Sequence, residues 1–552
     1  MPLADLVLLN GKIVSMDSKD QVFEAIAAHR GKIVAVGSTE KISELIGNET
    51  HVVHLRGKTV TPGLIDAHSH LALAGVNKLT SLDLAHPEPR SIMEVLGRIS
   101  ERISQANRGE WIVGGGWDEA MLEEKRPITR WDLDPLSREN PVILLHASGH
   151  SLVANTLALK LAGVEDPTLD TRGFIVVDKN RGMTGLLKES VMDLVLSRIP
   201  PFNVKQLEDG IKIAQEDWLR DGITANKDPG LYGDSSSMVQ AYRSLLSKGE
   251  LKIRSCLLYK VDTLEDVQRA AQLAADATSF SDMLRVVGIK IFLDGASRIR
   301  TAWMYDEWNL GYFQTDVGNR GHPVIDLSLF RKIVQEAHRR GLQVCIHAVG
   351  DHAVDVALDS IDAALAKYPR QDHRHSMIHC IVPTAHALAR MKTLGIVVET
   401  QSSFIYFFGD ILAGNLGPRR CWRAIPLKSY MKAGITVGNS ADADFYPHPP
   451  KFGIYAACTR KPMKRLYGDE PFGTDECITV HEALRTYTSM AAKCLFWEDS
   501  IGTVELGKHA DLVVWSEDPY AVAPEKLKDL KVALTIVGGR ISAQSGALSN
   551  NS

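Results

Sequence analysis

Two histidines, His68 and His70, stand two residues apart just beyond an apolar run from Thr59 to Ile65. If that run is a buried strand, the two-residue period of an extended chain turns both imidazoles to one side. Their nitrogens then converge on one point. Neutral imidazole suits zinc, manganese or iron, so the pair is a candidate half of a metal site. The alternative is two polar residues that end a strand and face water.

Other donors at other strand ends favour the metal. Val344-Cys345-Ile346-His347 and Met377-Ile378-His379 are apolar runs closed by a histidine, although each alone is more often a hydrogen-bonded core residue. Gly434 to Val437 runs on to Asp442 and Asp444, two carboxylates of the same parity, of which Asp442 lies nearer the strand. A carboxylate there can bind a metal and hold a proton of its water, or simply cap a loop. Lys290 sits inside the apolar run Val286 to Leu293, where an ammonium is costly to bury. It reaches past the strand to solvent, pairs with Asp294, or reacts as a neutral amine with carbon dioxide to form a carbamate bridging two metal ions. Lys227, in Ile223 to Asp228, is a rival for that role.

The elements that must position these groups read as alternating strands and amphipathic helices, the pattern of a parallel sheet. Candidate strands are 141–145, 222–225, 256–259, 286–293, 342–346, 377–378, 396–398 and 435–437, the count a (β/α)8 TIM-like barrel needs, with chemistry at the carboxyl ends. Residues 1–58 alternate short apolar runs with turns. Asn10-Gly11 and Arg30-Gly31 are hairpin signals. The same texture returns over 503–545, and neither piece can bury a face alone, so the chain ends are expected to share one small β-sandwich. The barrel is expected over 59–502, with a cap inserted at about 75–220.

Composition narrows the partners. A length of 552 residues with 45% hydrophobic and 24% charged residues describes a globular protein of one large and one smaller unit. A net charge of −4 gives no basic field for nucleic acid or anionic membrane. The start Met1-Pro2-Leu3-Ala4-Asp5 lacks a leader's pattern and no run of apolar residues would span a bilayer, so a cytoplasmic protein is expected. Seven dispersed cysteines without a Cys-x-x-Cys pair are expected to be mostly buried thiols.

Taken in order, His68-Ser69-His70, Lys290, His347, His379 and Asp442 resemble the ligand set of the amidohydrolase superfamily. Val60 to His70, Ser148-Gly149-His150-Ser151, Lys290 to Gly295, His347 to Asp351 and Gly507 to Val514 resemble the amidohydrolase family 3 branch, the YtcJ-like and N-substituted formamide deformylase-like proteins. Two places depart from its pattern. Ile378 stands where Glu commonly precedes the histidine, and Ser440-Ala441-Asp442 is one residue longer than the usual Ser-Asp, leaving Asp444 as an alternative.

The resemblance implies one or two divalent ions, zinc first and manganese or iron as alternatives. His68, His70 and Asp442 would hold one, His347 and His379 the second, with Lys290 bridging as its carbon dioxide adduct. It implies hydrolysis of a small amide by metal-activated hydroxide with Asp442 as general acid and base, an N-substituted formamide being the leading substrate class. N-acyl amino acids, cyclic amides, deamination, ester cleavage and a metal-free scaffold are the alternatives. Trp111, Trp117, Trp131 and His150 in the cap would suit an apolar or aromatic N-substituent. Trp117, His150 and Asp294 are the candidate substrate contacts, and a homodimer is expected from resemblance alone.

Overall fold

The computed structural model describes residues 3–85, 87–148, 150–169, 174–230, 235–276, 281–309, 317–443, 447–463 and 468–544. Eight parallel strands form its centre: β1 (Leu64–Asp66), β2 (Ile223–Asp228), β3 (Arg254–Lys260), β4 (Leu284–Phe292), β5 (Gln343–Ala348), β6 (Ser376–His379), β7 (Val397–Thr400) and β8 (Val437–Asn439), paired in that order. The ring is drawn shut where Ala67 N–H donates to the Asn439 carbonyl (3.1 Å) and Asp442 N–H to the His68 carbonyl (3.0 Å). This is a nearly closed TIM-like barrel, and most of its strand residues are buried because helices cover the outside while side chains fill the inside.

The run from Thr59 to Ile65 is not one strand. Thr59–Pro62 lies in another sheet and pairs with Leu512–Trp515, whereas β1 pairs with β2. The break falls at Gly63, where a Cβ would come within 2.1 Å of Thr224 Oγ1. That close approach is what lets the chain change sheets there.

Strands from both chain ends form two facing sheets. One orders Arg540–Gln544, Val532–Val537, Leu512–Trp515, Thr59–Pro62, Lys12–Val14 and Val22–Phe23; the other orders Lys32–Gly37, Ala25–His29, Leu6–Leu9 and His51–His54. Leu8, Ile26, Val60, Val514 and Ile536 fill the space between them. Arg30-Gly31 makes a hairpin, with left-handed φ of 47° and 77°. Asn10-Gly11 does not. Leu6–Leu9 pairs with Ala25–His29 and His51–His54 in one sheet, and Lys12–Val14 with Thr59–Pro62 and Val22–Phe23 in the other. The sandwich is clamped to the barrel by Arg254 on β3, whose guanidinium donates to both oxygens of Asp511 (2.6 and 2.9 Å) in a buried fork.

Between β1 and β2 the chain builds a third sheet, ordered Ile175–Asp178, Gly182–Lys188, Ser151–Ala154, Val142–His146, Ile112–Trp117 and Leu82–Asp83. Here the strand expected at 141–145 proves to be part of the insertion rather than of the barrel. Its apolar run is explained by cores on both faces of the sheet, Ile143 facing one and Val142 and Leu144 the other. All seven cysteines are free, five of them buried. Among the described residues no helix is long and apolar enough to cross a membrane.

Candidate metal centre

β1 ends at Asp66, and the extended residues after it deliver His68 and His70 to the carboxyl mouth of the barrel. Asp442, beyond β8, meets both. Its Oδ1 lies 3.4 Å from His68 Nε2 and 3.6 Å from His70 Nε2. Donor atoms of these three buried residues all fall within 4.8 Å of one another. Lys290 on β4 points to the same place, with Nζ 3.5 Å from His68 Nε2. His379 at the end of β6 sits with its ring centroid 5.7 Å from that of His68 and 4.5 Å from that of His347 on β5. All six residues named from strand ends therefore converge. Asp444, the alternative to Asp442, lies outside the described residues.

Outer partners fix which nitrogen faces inward. Gly230 O accepts from His70 Nδ1 (3.2 Å), Gly295 O from His347 Nε2 (3.1 Å) and Gln401 Oε1 from His379 Nδ1 (2.7 Å). Each bond assigns the proton to the outer nitrogen and leaves a lone pair on the other. His347 Nδ1, so exposed to the centre, is buried without a hydrogen-bond partner among the described residues. Gln401 is itself oriented by donating to Ser440 Oγ (2.8 Å). His379, Cys380 and Asp442 adopt left-handed φ of 68°, 46° and 57°, a conformation that costs non-glycine residues energy and that gathers at functional sites.

Burial pushes the His68 and His347 imidazoles well below their ordinary range and His379 down to about 4. The rings are neutral at pH 7 and have lone pairs to give. Burial also lowers Lys290, to about 8. It opposes ionisation of Asp442, but the His68 and His70 rings beside it hold that carboxyl well below the usual range. The neutral imidazoles of His68, His347 and His379, with the His70 ring, the Asp442 carboxylate and the lowered Lys290 amine, are a donor set that fits a divalent cation.

Lys227 takes no part. On β2 it points into the barrel, and its Nζ donates to Glu399 Oε1 (2.5 Å), Gln343 Oε1 (3.1 Å) and the Cys494 carbonyl (2.8 Å), with both charges wholly buried. Glu399 keeps that ammonium charged against the effect of burial.

The proposed substrate contacts divide. His150 reaches the centre: its ring lies 5.2 Å from that of His347, and its Nδ1 bonds Glu189 Oε2 (3.0 Å). Asp294 instead secures a loop, accepting the backbone N–H of Val349, Gly350 and Trp303 (each 2.9 Å). Trp117 is turned into the cap core, 1% exposed, donating to the Leu144 carbonyl, so the alternation of its strand takes it away from the cavity. The aromatic walls at the centre come from Phe404 and Phe408, just after β7. Glu189, Gln401 and Arg298 belong to the site and were not read from the sequence; of these only Gln401, a polar residue closing an apolar strand, carried a signal.

Two cavities meet at His150. The inner one, about 30 Å³, lies over His347, His379 and Asp442, with Arg298 on its wall. The outer one, about 280 Å³, begins at Phe292 and His150 and opens outward past Met192 and Val324.

Comparison with known proteins places the chain in a family. The putative amidohydrolase YtcJ of Bacillus subtilis (strain 168) is 30% identical over 536 residues, covering 96% of this chain and 98% of its own. The N-substituted formamide deformylase of Arthrobacter pascens is 26% identical over 546 residues, covering 97% and 98%. An uncharacterized metal-dependent hydrolase from Pyrococcus horikoshii OT3 shares the fold, with a TM-score of 0.73 at 24% identity over 94% of this chain and 99% of that one. Residues 51–543 match the amidohydrolase family. The chain therefore belongs to the amidohydrolase family of metal-dependent hydrolases.

Proposed function

We propose that the protein hydrolyses the carbon–nitrogen bond of a small, non-peptide amide, with N-substituted formamides as its substrate class. The observation that supports this most directly is Asp442, ionised, in contact with both histidines and facing the inner cavity. His68, His70 and Asp442 would hold a divalent ion, zinc by preference, and His347, His379 and carboxylated Lys290 would complete a second position. When bound, the metal supplies a lowered water pKa and a polarised carbonyl.

The chain's own groups account for the rest. Asp442 accepts the proton of the attacking water and returns it to the leaving nitrogen, without which an amine is a poor leaving group. The Lys290 amine, brought down to about 8, is available to take up carbon dioxide near neutral pH. His150, held by Glu189, stands where the two cavities join and can donate to the substrate's oxygen or nitrogen. The inner cavity suits a one-carbon acyl group, and the outer one has room for an N-substituent.

Amine release from matched panels of N-substituted formamides, N-acyl amino acids and lactams, with zinc or manganese added to the protein, tests this. Formamides are expected to be cleaved fastest. Cleavage of acyl groups of several carbons at the same rate would reject the assignment of the inner cavity, and no amine release from any panel would reject the amide reaction.

A further inference from the structure

We propose that the outer cavity receives the amine half of the substrate, and that its acidic mouth selects an apolar substituent ending in a neutral or cationic group over one ending in a carboxylate. This rests on the reading of the site as an amide hydrolase.

The cavity has an apolar throat. From Phe292, whose ring lies 4.8 Å from that of His347, the walls run through Met192, Leu196, Val324 and Ile325. Such walls reward a hydrocarbon body and offer nothing to a charge. The mouth differs. Asp193 and Asp262, both exposed, line it, and Lys260 between them has its ammonium bonded to Asp262. At the inner end, Glu189 is committed to His150 and to the Thr301 hydroxyl.

Among the described residues lining the two cavities, the lysine and the arginine each already hold a carboxylate. Lys260 holds Asp262; Arg298, on the wall of the inner cavity, holds Asp118 of the inserted sheet with both groups buried. A carboxylate entering the cavity therefore meets the field of Asp193 and a neutralised lysine. An ammonium meets attraction from Asp193 and a second carboxylate it can share. At exposed positions with partial screening, one such charge is worth about tenfold in affinity.

Three ligands of one length separate the cases: N-hexylformamide, N-(6-aminohexyl)formamide and 6-formamidohexanoate. Their binding to the metal-free protein, which cannot turn them over, is measured by titration calorimetry, and kcat/KM is measured with the zinc-loaded protein. The neutral and amino compounds are expected to bind at least about tenfold tighter than the carboxylate at low salt, with the gap shrinking in high salt. Asp193→Asn, which leaves Lys260 and Asp262 paired, should bring the three within about threefold, and Asp193→Lys should reverse the order. Equal or tighter binding of the carboxylate by the unaltered protein would overturn the proposal and make Lys260 an anion reader, and failure of all three to bind would overturn it too. The expected binding order without cleavage by the metal-loaded protein would instead remove the hydrolase reading while leaving the cavity's selectivity in place. Cleavage with no order among the three would do the reverse.

Discussion

Two lysines, Lys227 and Lys290, lie in apolar barrel strands, and exchanging each for methionine should give opposite phenotypes. Lys227→Met strands the Glu399 carboxylate, 0% exposed, whose Oε2 already lacks a partner among the described residues. Removing one member of a buried pair costs about 3–5 kcal/mol because the other charge remains unpaired. With a denaturant slope near 3 kcal/mol per molar, the urea midpoint should fall by about 1 M or more. Lys290→Met removes a strained charge instead. Its pKa falls from 10.5 to about 8 on folding, which penalises the folded metal-free protein by roughly 3 kcal/mol below pH 8 and disappears as pH rises past 10.5. At pH 7 that penalty is present in full, so Lys290→Met should leave the metal-free midpoint unchanged or higher while metal content and turnover fall. Lys227 has the other sign: its folded pKa is raised, so its contribution holds through neutral pH and is lost only above the unfolded lysine value. Urea unfolding followed by tryptophan fluorescence, with metal analysis of each variant, decides the matter. A Lys290→Met protein as unstable as Lys227→Met, or a stable Lys227→Met protein that has lost its metal, would refute the assignment.

Asp442→Asn is expected to keep metal and lose turnover by about 100-fold or more, and a rate within tenfold of the parent would dismiss its acid–base role. Because burial holds His379 down to about 4, metal should survive stepwise dialysis at pH 6 and leave only below about pH 5; half-loss near 6.5, where an ordinary imidazole titrates, would contradict the neutral donor set. Gly75 packs its helix against Gly210, where a Cβ would come within 1.9 Å of the Gly210 carbonyl oxygen, so Gly75→Ala should cost about 1–3 kcal/mol in urea unfolding. Gly37, with nothing within 4 Å of a Cβ, is the control, and equal effects at both positions would remove the packing argument.

The barrel was legible because alternating apolar runs and amphipathic helices leave few topologies, and because parallel strands buried on both faces read as continuous runs. The same continuity hid two boundaries. A run such as Thr59 to Ile65 looks identical whether it stays in one sheet or passes between two at Gly63, since both halves are buried. Val142–His146 is as apolar as any barrel strand because the inserted sheet has a core on each side. Apolar periodicity reports burial; it does not report which sheet does the burying. Lys227 and Lys290 were inseparable for a related reason. What distinguishes them is Glu399, 172 residues from Lys227, and no local pattern announces a partner so remote.

At the metal centre the donor types could be read from strand ends, while the lone pair each presents could not. A histidine closing a buried strand must place its ring at the barrel mouth, so position follows from the fold. Which nitrogen then faces inward depends on Gly230, Gly295 and Gln401, groups on loops and neighbouring strands that take the proton from His70, His347 and His379. The consequence reaches past orientation. With one nitrogen of His347 and of His379 committed outward and burial opposing a second proton, those two rings stay neutral near pH 7. Ile378 fits the same logic: it packs with Leu258 and Cys345 inside the barrel, in register with His347, and a carboxylate there would favour protonation of the neighbouring rings. The departure at Ile378 therefore favours the neutral, ligand-competent form of the histidine that follows it.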